Sequence, residues 1–442
     1  MKIYIKTYGC QMNERDSEAL SAVLVEKGHE LVEDEKIADV LLFNTCSVRE
    51  QAERKAVGKV GILKKLKRVR PDIFIGILGC MAQRKGEELL KELPHIDFVL
   101  GTDQLGMLPD VIEKQLEKRE QISLTKTNTE ISTRLSEHSS KDKITEFVSV
   151  MRGCNMFCSY CIVPYVRGRE KSRDIIDIVE EVKKITKKGI KEIMLLGQNV
   201  SAFGLDQSAK ERPTESPFAD LLIELNKIDK LERIRFISPH PYFFNDKLID
   251  TIASLSKVCN NIHLPMQSGS DKILKEMNRR YDMDIYMDVV NKLKLKVPDV
   301  TFSTDVIVAF PGETQEDFNL TRKAMNKVGF DNAYIFKYSA REGTPAAKYE
   351  DQISQNVKDE RNQILLGDLK IHTTEHNEML NGETVDILIE GPSKRNSSTW
   401  TGRTTTNKVT IFDPKEGLNP GDIVKVKINR TTSMTLFGDI VD

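Results

Sequence analysis

Long apolar runs are missing from this chain, and so is any strong excess of charge. The longest apolar stretches, Val40–Phe43 and Ile73–Leu78, are strand-sized and fall far short of the roughly twenty residues that a membrane-spanning helix needs. No membrane partner is expected. The opening residues, Met1-Lys-Ile-Tyr-Ile-Lys-Thr, have neither the apolar core nor the cleavage site of a secretory leader. Cysteines are few and odd in number, seven in all, which argues against a disulfide framework. These absences together point to the cytoplasm, where thiols stay reduced and free to bind metal. The formal net charge is only −1, so bulk charge does not signal nucleic acid, although local patches survive inside a neutral total. What is present is ordinary: 39% hydrophobic residues in a chain of 442, enough for roughly three domains.

The cysteines are not evenly spread. Cys154, Cys158 and Cys161 crowd into Met151-Arg-Gly-Cys-Asn-Met-Phe-Cys-Ser-Tyr-Cys161, with no histidine beside them. Three thiols at this spacing call for a thiolate-loving metal, either an iron–sulfur cluster or zinc. Three ligands rather than four leave a metal position open, as a reactive site requires. A structural zinc knot with a distant fourth ligand, or plain free thiols, is the blander alternative.

Three more cysteines each close a short β-like run. Lys2–Lys6 leads to Cys10, Val40–Phe43 to Cys46, and Ile73–Leu78 to Cys80. Helical stretches, Asp16–Lys27 and Val48–Arg70, separate the runs. Alternating strand and helix reads as a parallel α/β sheet, whose strands end along one ligand-binding edge. Cys10, Cys46 and Cys80 should converge there as a second three-thiol site. Gly9 and Gly79 suit close backbone approach at those turns. One buried thiol at a strand end is commonly just a small hydrophobe; three at one edge are harder to explain that way. Between Glu53 and Arg70 lie eight lysines or arginines and one acid, a solvated face or a phosphate-binding one. We place this domain at residues 1–120, ending in a helix over Asp110–Glu120, and a polar linker at 121–143.

Residues 144–371 repeat strand and helix six times. The strand-like runs are Glu146–Val150, Glu192–Leu196, Arg233–Ile237, Asn261–Pro265, Thr301–Ala309 and Ala333–Tyr338. Six such units predict a partial (β/α)6 barrel related to the TIM barrel, with its working residues at the carboxyl ends of the strands. The cysteine triplet follows the first run, and polar turns follow the others, among them Gly197-Gln-Asn199, Ser238-Pro-His240 and Met266-Gln-Ser-Gly269. Arg167, Arg169, Lys171 and Arg173 sit just beyond the triplet and suit a polyanionic substrate. Cys259 reads as a buried structural thiol, and His240 and His263 as hydrogen-bonded residues rather than ligands.

From residue 372 to 442 the texture changes to five short β-like runs broken by Gly-Pro and Pro-Gly turns. That suits a small closed β-barrel of the oligonucleotide-binding type. Lys394, Arg395, Trp400, Arg403 and Arg430 offer a basic and aromatic surface for RNA.

The triplet, with Tyr160 before its last cysteine, resembles the signature of the radical S-adenosylmethionine enzymes. That resemblance implies a 4Fe-4S cluster whose open iron chelates S-adenosylmethionine, with Tyr160, Gln198 and Gln267 as cofactor-binding candidates on the rim. The whole chain is similar to the methylthiotransferases, in its tRNA-modifying branch. The motifs are Thr7-Tyr-Gly-Cys-Gln-Met-Asn13, Asn44-Thr-Cys46, the triplet, and Gly391-Pro-Ser-Lys-Arg395. The resemblance implies an N-terminal methylthiotransferase domain, a radical core and a C-terminal TRAM domain. It also implies a second 4Fe-4S cluster on Cys10, Cys46 and Cys80, and two molecules of S-adenosylmethionine, one a methyl donor and one a radical source. The substrate implied is the tRNA anticodon stem-loop carrying isopentenyladenosine, methylthiolated at carbon 2. A monomer served by an electron donor of flavodoxin or ferredoxin type is expected. Gln11-Met12 after the first cysteine favours this branch over those acting on threonylcarbamoyl-adenosine or on a ribosomal-protein aspartate. A non-enzymatic iron–sulfur protein that binds RNA is the rival from another class.

Overall fold

The computed structural model of the chain describes residues 1–48, 50–126, 143–205 and 212–441. The N-terminal sheet is wholly parallel and runs in the order β2-β1-β3-β4-β5-β6. Its strands are β1 (Lys2–Tyr8), β2 (Glu30–Leu31), β3 (Val40–Thr45), β4 (Phe74–Gly79), β5 (Phe98–Leu100) and β6 (Ile122–Leu124). Every residue of β3 and β4 is buried, because helices cover both faces of a parallel sheet. Leu41 and Phe43 feed one core and Val40 and Leu42 the other, the period-two alternation of a strand.

Two features depart from expectation. The sheet takes in Ile122–Leu124, which the sequence reading assigned to the linker; pairing with β5 supplies the order that its polar composition does not suggest. Of the expected linker, residues 127–142 lie outside the described residues. The first helix is also longer than periodicity predicts, spanning Gln11–Glu26. It begins directly after Cys10, so the motif residues Met12 and Asn13 are helical and buried.

The central domain is the open barrel predicted. One half is β11-β10-β7 and the other β12-β13-β14, each parallel. These strands are β7 (Thr145–Ser149), β10 (Glu192–Leu196), β11 (Arg233–Phe236), β12 (Asn261–His263), β13 (Thr301–Val308) and β14 (Asn332–Lys337), while β8 (Met151–Arg152) and β9 (Lys171–Ser172) form a small antiparallel pair around the triplet. A single apolar core runs beneath both halves, from Val148 to Leu365.

The C-terminal strands, β15 (Thr384–Pro392), β16 (Trp400–Arg403), β17 (Val409–Phe412), β18 (Ile423–Thr431) and β19 (Thr435–Val441), close into a barrel. That barrel is fastened to the central domain through buried guanidiniums on β11. Arg233 donates to the carbonyls of Arg403 and Asp386, and Arg235 to those of Thr404 and Thr405. Arg235 also pairs with Glu192 at 2.9 Å.

Candidate functional site

The first three cysteines stand where the parallel sheet was expected to put them, at the carboxyl ends of the adjacent strands β1, β3 and β4. The turns that carry them are knotted together. Asn13 Nδ2 donates to Asn44 Oδ1 at 2.9 Å, and Asn44 Nδ2 donates back to the Asn13 carbonyl at 2.9 Å. Both side chains are fully buried, and the Cys10 thiol donates to Asn13 Oδ1 at 3.3 Å. The two asparagines of the sequence motifs are therefore the struts of the site. A Cβ on Gly9 would stand 2.8 Å from Cys46 Cβ, and one on Gly79 would stand 2.3 Å from Asn44 Oδ1. Gly79 also has φ +90, which only glycine adopts freely.

Electrostatics separate these thiols. A hydrogen bond with Cys46 lowers the Cys10 thiol to about 6, against the opposing effect of burial; Arg167 and the backbone N–H groups of Asn13 and Met12 add to it. Cys80, fully enclosed, is pushed up by burial.

Arg167 was expected to face RNA, and the structure turns it inward. It is only 5% exposed and pairs with Asp16 at 2.8 Å, beside Cys10 and Cys80. Burial opposes its charge, but Asp16 and the two cysteines more than offset that and raise its pKa. A buried arginine in an ion pair is not a surface for phosphate. Arg173 is likewise committed, to Glu181 at 2.6 Å and to the Ser149 carbonyl. Arg169 is exposed and lies over the Phe157 ring.

The triplet occupies an apolar pocket with Met156, Ala202, Tyr242 and Phe243, against which Tyr160 packs. Burial pushes Cys154 well up and Cys161 up to about 12. Such thiols lose their protons to a bonded metal rather than to water. Gln198 Oε1 accepts from the Gly153 N–H at 2.6 Å, so this candidate holds the loop before the triplet. Gln267 is held at φ +66, a sparsely populated conformation for a non-glycine residue. Its side-chain amide makes no hydrogen bond among the described residues.

Arg279, which the sequence reading did not single out, lies against the triplet. Its Nη1 lies 3.3 Å from Cys158 Sγ, and its Nε donates to Tyr281 Oη. Burial works against the charge, while Tyr281, Tyr160 and Cys158 raise its pKa overall. The doublet Arg279-Arg280 next to Tyr281 is the available signal, but it follows a helix rather than a strand. His240 is buried and held neutral, by burial first and then by Arg279 and Arg280. On the C-terminal barrel, Lys394 and Arg395 are exposed, Trp400 is half-buried against the barrel core, and Arg403 pairs with Glu390 at 2.8 Å. Arg430 is stacked on Phe437.

Among the described residues, no three His, Cys, Asp or Glu side chains are placed to hold a single metal ion. A 4Fe-4S cluster asks for something else, since each thiolate binds its own iron. Two all-thiol donor sets, one beside Arg167 and one beside Arg279, suit such clusters.

Three family models match in succession. The "Uncharacterized protein family UPF0004" covers residues 2–101, the "Radical SAM superfamily" 148–325, and the "TRAM domain" 378–441. Among solved structures, the radical S-adenosylmethionine methyltransferase TsrM from Kitasatospora setae, with cobalamin and a 4Fe-4S cluster bound, shares the fold. It has a TM-score of 0.57 at 10% identity, covering 78% of this chain and 74% of that one. Curated relatives are much nearer in sequence. The tRNA-2-methylthio-N(6)-dimethylallyladenosine synthase of Akkermansia muciniphila is 44% identical over 99% of this chain and 98% of its own. Proteins of the same name from Methylacidiphilum infernorum and Clostridium perfringens are 44% and 43% identical, each over 99% of this chain and over 94% and 97% of their own. With likeness of this degree along its full length, the chain belongs to the tRNA-2-methylthio-N(6)-dimethylallyladenosine synthase family of radical S-adenosylmethionine enzymes.

Proposed function

We propose that the protein adds a methylthio group to carbon 2 of isopentenyladenosine, the dimethylallyl-adenosine of its relatives' name, beside the anticodon in tRNA. The observation that carries this reading is the approach of two three-cysteine sites across one domain boundary. Cys80 packs on Ile162, the residue after Cys161, and Arg167 reaches from the barrel to Cys10 and Cys80. The target C–H bond is inert to a general base, so two thiolate-held centres suit the reaction better than an acid–base pair would. Bound 4Fe-4S clusters would supply radical cleavage of S-adenosylmethionine at Cys154, Cys158 and Cys161, and a methylatable sulfur at Cys10, Cys46 and Cys80.

The chain's own residues position and shield. Met156, Tyr242 and Phe243 keep water from the triplet, and Tyr160 closes it from the side. Arg279 holds positive charge against the Cys158 sulfur, as Arg167 does for Cys10 and Cys80. Gln198 fixes the loop through Gly153, and Gln267 is left with an amide free to meet the cofactor. Arg169, Lys394, Arg395, Trp400 and Arg403 offer cations and one indole face to the RNA. We take the protein to act as a cytoplasmic monomer that receives electrons from a flavodoxin or ferredoxin. Among the described residues, no helix is long and apolar enough to cross a membrane.

The test is direct. Anaerobically reconstituted protein, S-adenosylmethionine, reductant and an isopentenylated anticodon stem-loop are combined, and the nucleosides are weighed by mass spectrometry. A methylthio gain on the modified adenosine is expected. An unchanged adenosine with active cofactor cleavage would remove the substrate assignment.

A further inference from the structure

Strand β14 is an edge of the open barrel: in the order β12-β13-β14 no strand pairs beyond it among the described residues. Its side chains alternate. Ala333 and Ile335 pack on the core under the helices, and the Ile335 carbonyl accepts from Asn362 on the helix Gln355–Glu378. Tyr334 and Phe336 therefore turn to the opposite face, the barrel interior. Barrel interiors are normally filled by side chains, yet Tyr334 and Phe336 are 48% and 42% exposed. They lie within 15° of parallel with centroids 6.5 Å apart, farther than rings in face-to-face contact. Two near-parallel aromatic rings are thus presented together and left half-exposed.

Their neighbours are polar below and apolar above. His263 stands edge-on to Tyr334 at 6.2 Å, bonded to Ser303 at 3.0 Å and 3.5 Å from Asp305. In register, Asp305 lies opposite Tyr334 and Ile307 opposite Phe336. Ile307 and Tyr160 of the cysteine triplet pack on one apolar cluster. Just past β14, Ser339 donates to Glu50, and Arg341 to the carbonyl of Val48, two residues beyond Cys46. The strand that carries the rings accordingly leads to the boundary between the barrel and the domain of Cys46.

We propose that Tyr334 and Phe336 are the seat for the substrate's purine base, which stacks on them after leaving the RNA loop. This deepens the tRNA-modifying reading above and rests on it. A planar π-ligand is the chemistry these rings take, as in proteins that stack single-stranded bases on a sheet. Two adenines meet that description, one in the RNA and one in S-adenosylmethionine. The open edge favours the RNA, because a base still tied to its backbone on both sides enters from the side of a barrel. His263 and Asp305 then face the base edge.

The experiment uses the full reconstituted chain as wild type and as Tyr334→Ala, Phe336→Ala and Tyr334→Phe. Affinities are measured for the isopentenylated stem-loop, for the same RNA abasic at that nucleotide, and for S-adenosylmethionine alone. Each alanine variant should bind the base-bearing RNA about tenfold more weakly, with the abasic RNA and S-adenosylmethionine unchanged. Tyr334→Phe should behave as wild type. Equal weakening toward both RNAs, or no weakening, overturns the seat. Weaker binding of S-adenosylmethionine with RNA binding unchanged assigns the rings to the cofactor and also overturns it. Wild-type turnover on the isopentenylated RNA is scored separately, so a failed substrate reading is told apart from a failed seat.

Discussion

At the scale of single residues, Cys10 is where most influences meet. It stands at the N-terminus of a helix, its sulfur accepts a hydrogen bond from Cys46, and it lies under the field of Arg167. A thiol held at about 6 is a ready thiolate near neutral pH, which both metal binding and sulfur chemistry want. The two cysteine sets are built on different domains, so their losses should separate. Cys10→Ala is expected to lower the reconstituted iron from about eight to about four per chain, two 4Fe-4S clusters becoming one. It should still release 5′-deoxyadenosine from S-adenosylmethionine while adding no methylthio group. Loss of 5′-deoxyadenosine in that variant would contradict the division of labour. Arg279 carries the parallel argument for the other site. Taking its cation away in Arg279→Met should make the triplet's cluster harder to reduce, read as a more negative midpoint in an EPR-monitored titration.

At the scale of elements, the helix Gln315–Val328 shows how a loop beside the site is pinned. Thr314 and Asp317 form a reciprocal capping box, and the Asp317 carboxylate also accepts from Ser270 Oγ at 2.6 Å and pairs with Lys272 at 3.1 Å. Burial opposes the charge, yet these hydrogen bonds bring the carboxyl down to about 2. A carboxyl lowered in the folded state stabilises fully above its ordinary value of 3.8 and loses that contribution as pH falls through about 2. Asp317→Asn should therefore melt at a lower temperature than wild type at pH 7. The gap should narrow steadily below about pH 4, and a constant gap would rule the linkage out. Elements of this kind were partly legible in the sequence. Strands ending in cysteine, the six barrel units and the five closing strands announced themselves through apolar runs and turn residues. Ile122–Leu124 did not, because an edge strand of three half-buried residues has no pattern of its own. The inward turn of Arg167 was hidden for a related reason: an arginine beside glycine reads as surface until its partner, Asp16, is brought in from 151 residues away.

For the whole molecule, the decisive joint is between β11 and the C-terminal barrel. Arg235 spends its guanidinium on Glu192 and on two carbonyls of that barrel, at 5% side-chain exposure. Removing one member of a buried pair strands the other, at a cost of roughly 3–5 kcal/mol. Arg235→Ala should accordingly unfold at a lower temperature by calorimetry even with no RNA present. An unchanged melting profile would mean that the barrel is merely tethered.

That joint also sets an order of events during synthesis. A polypeptide emerges from its amino end, so both cysteine sets are out of the ribosome well before residues 386 and 403–405. Until those late carbonyls arrive, Arg233 and Arg235 keep water about them toward the amino ends of the half-built barrel's strands. The C-terminal strands thus cover the amino ends of the barrel strands only after both cysteine sets have been made.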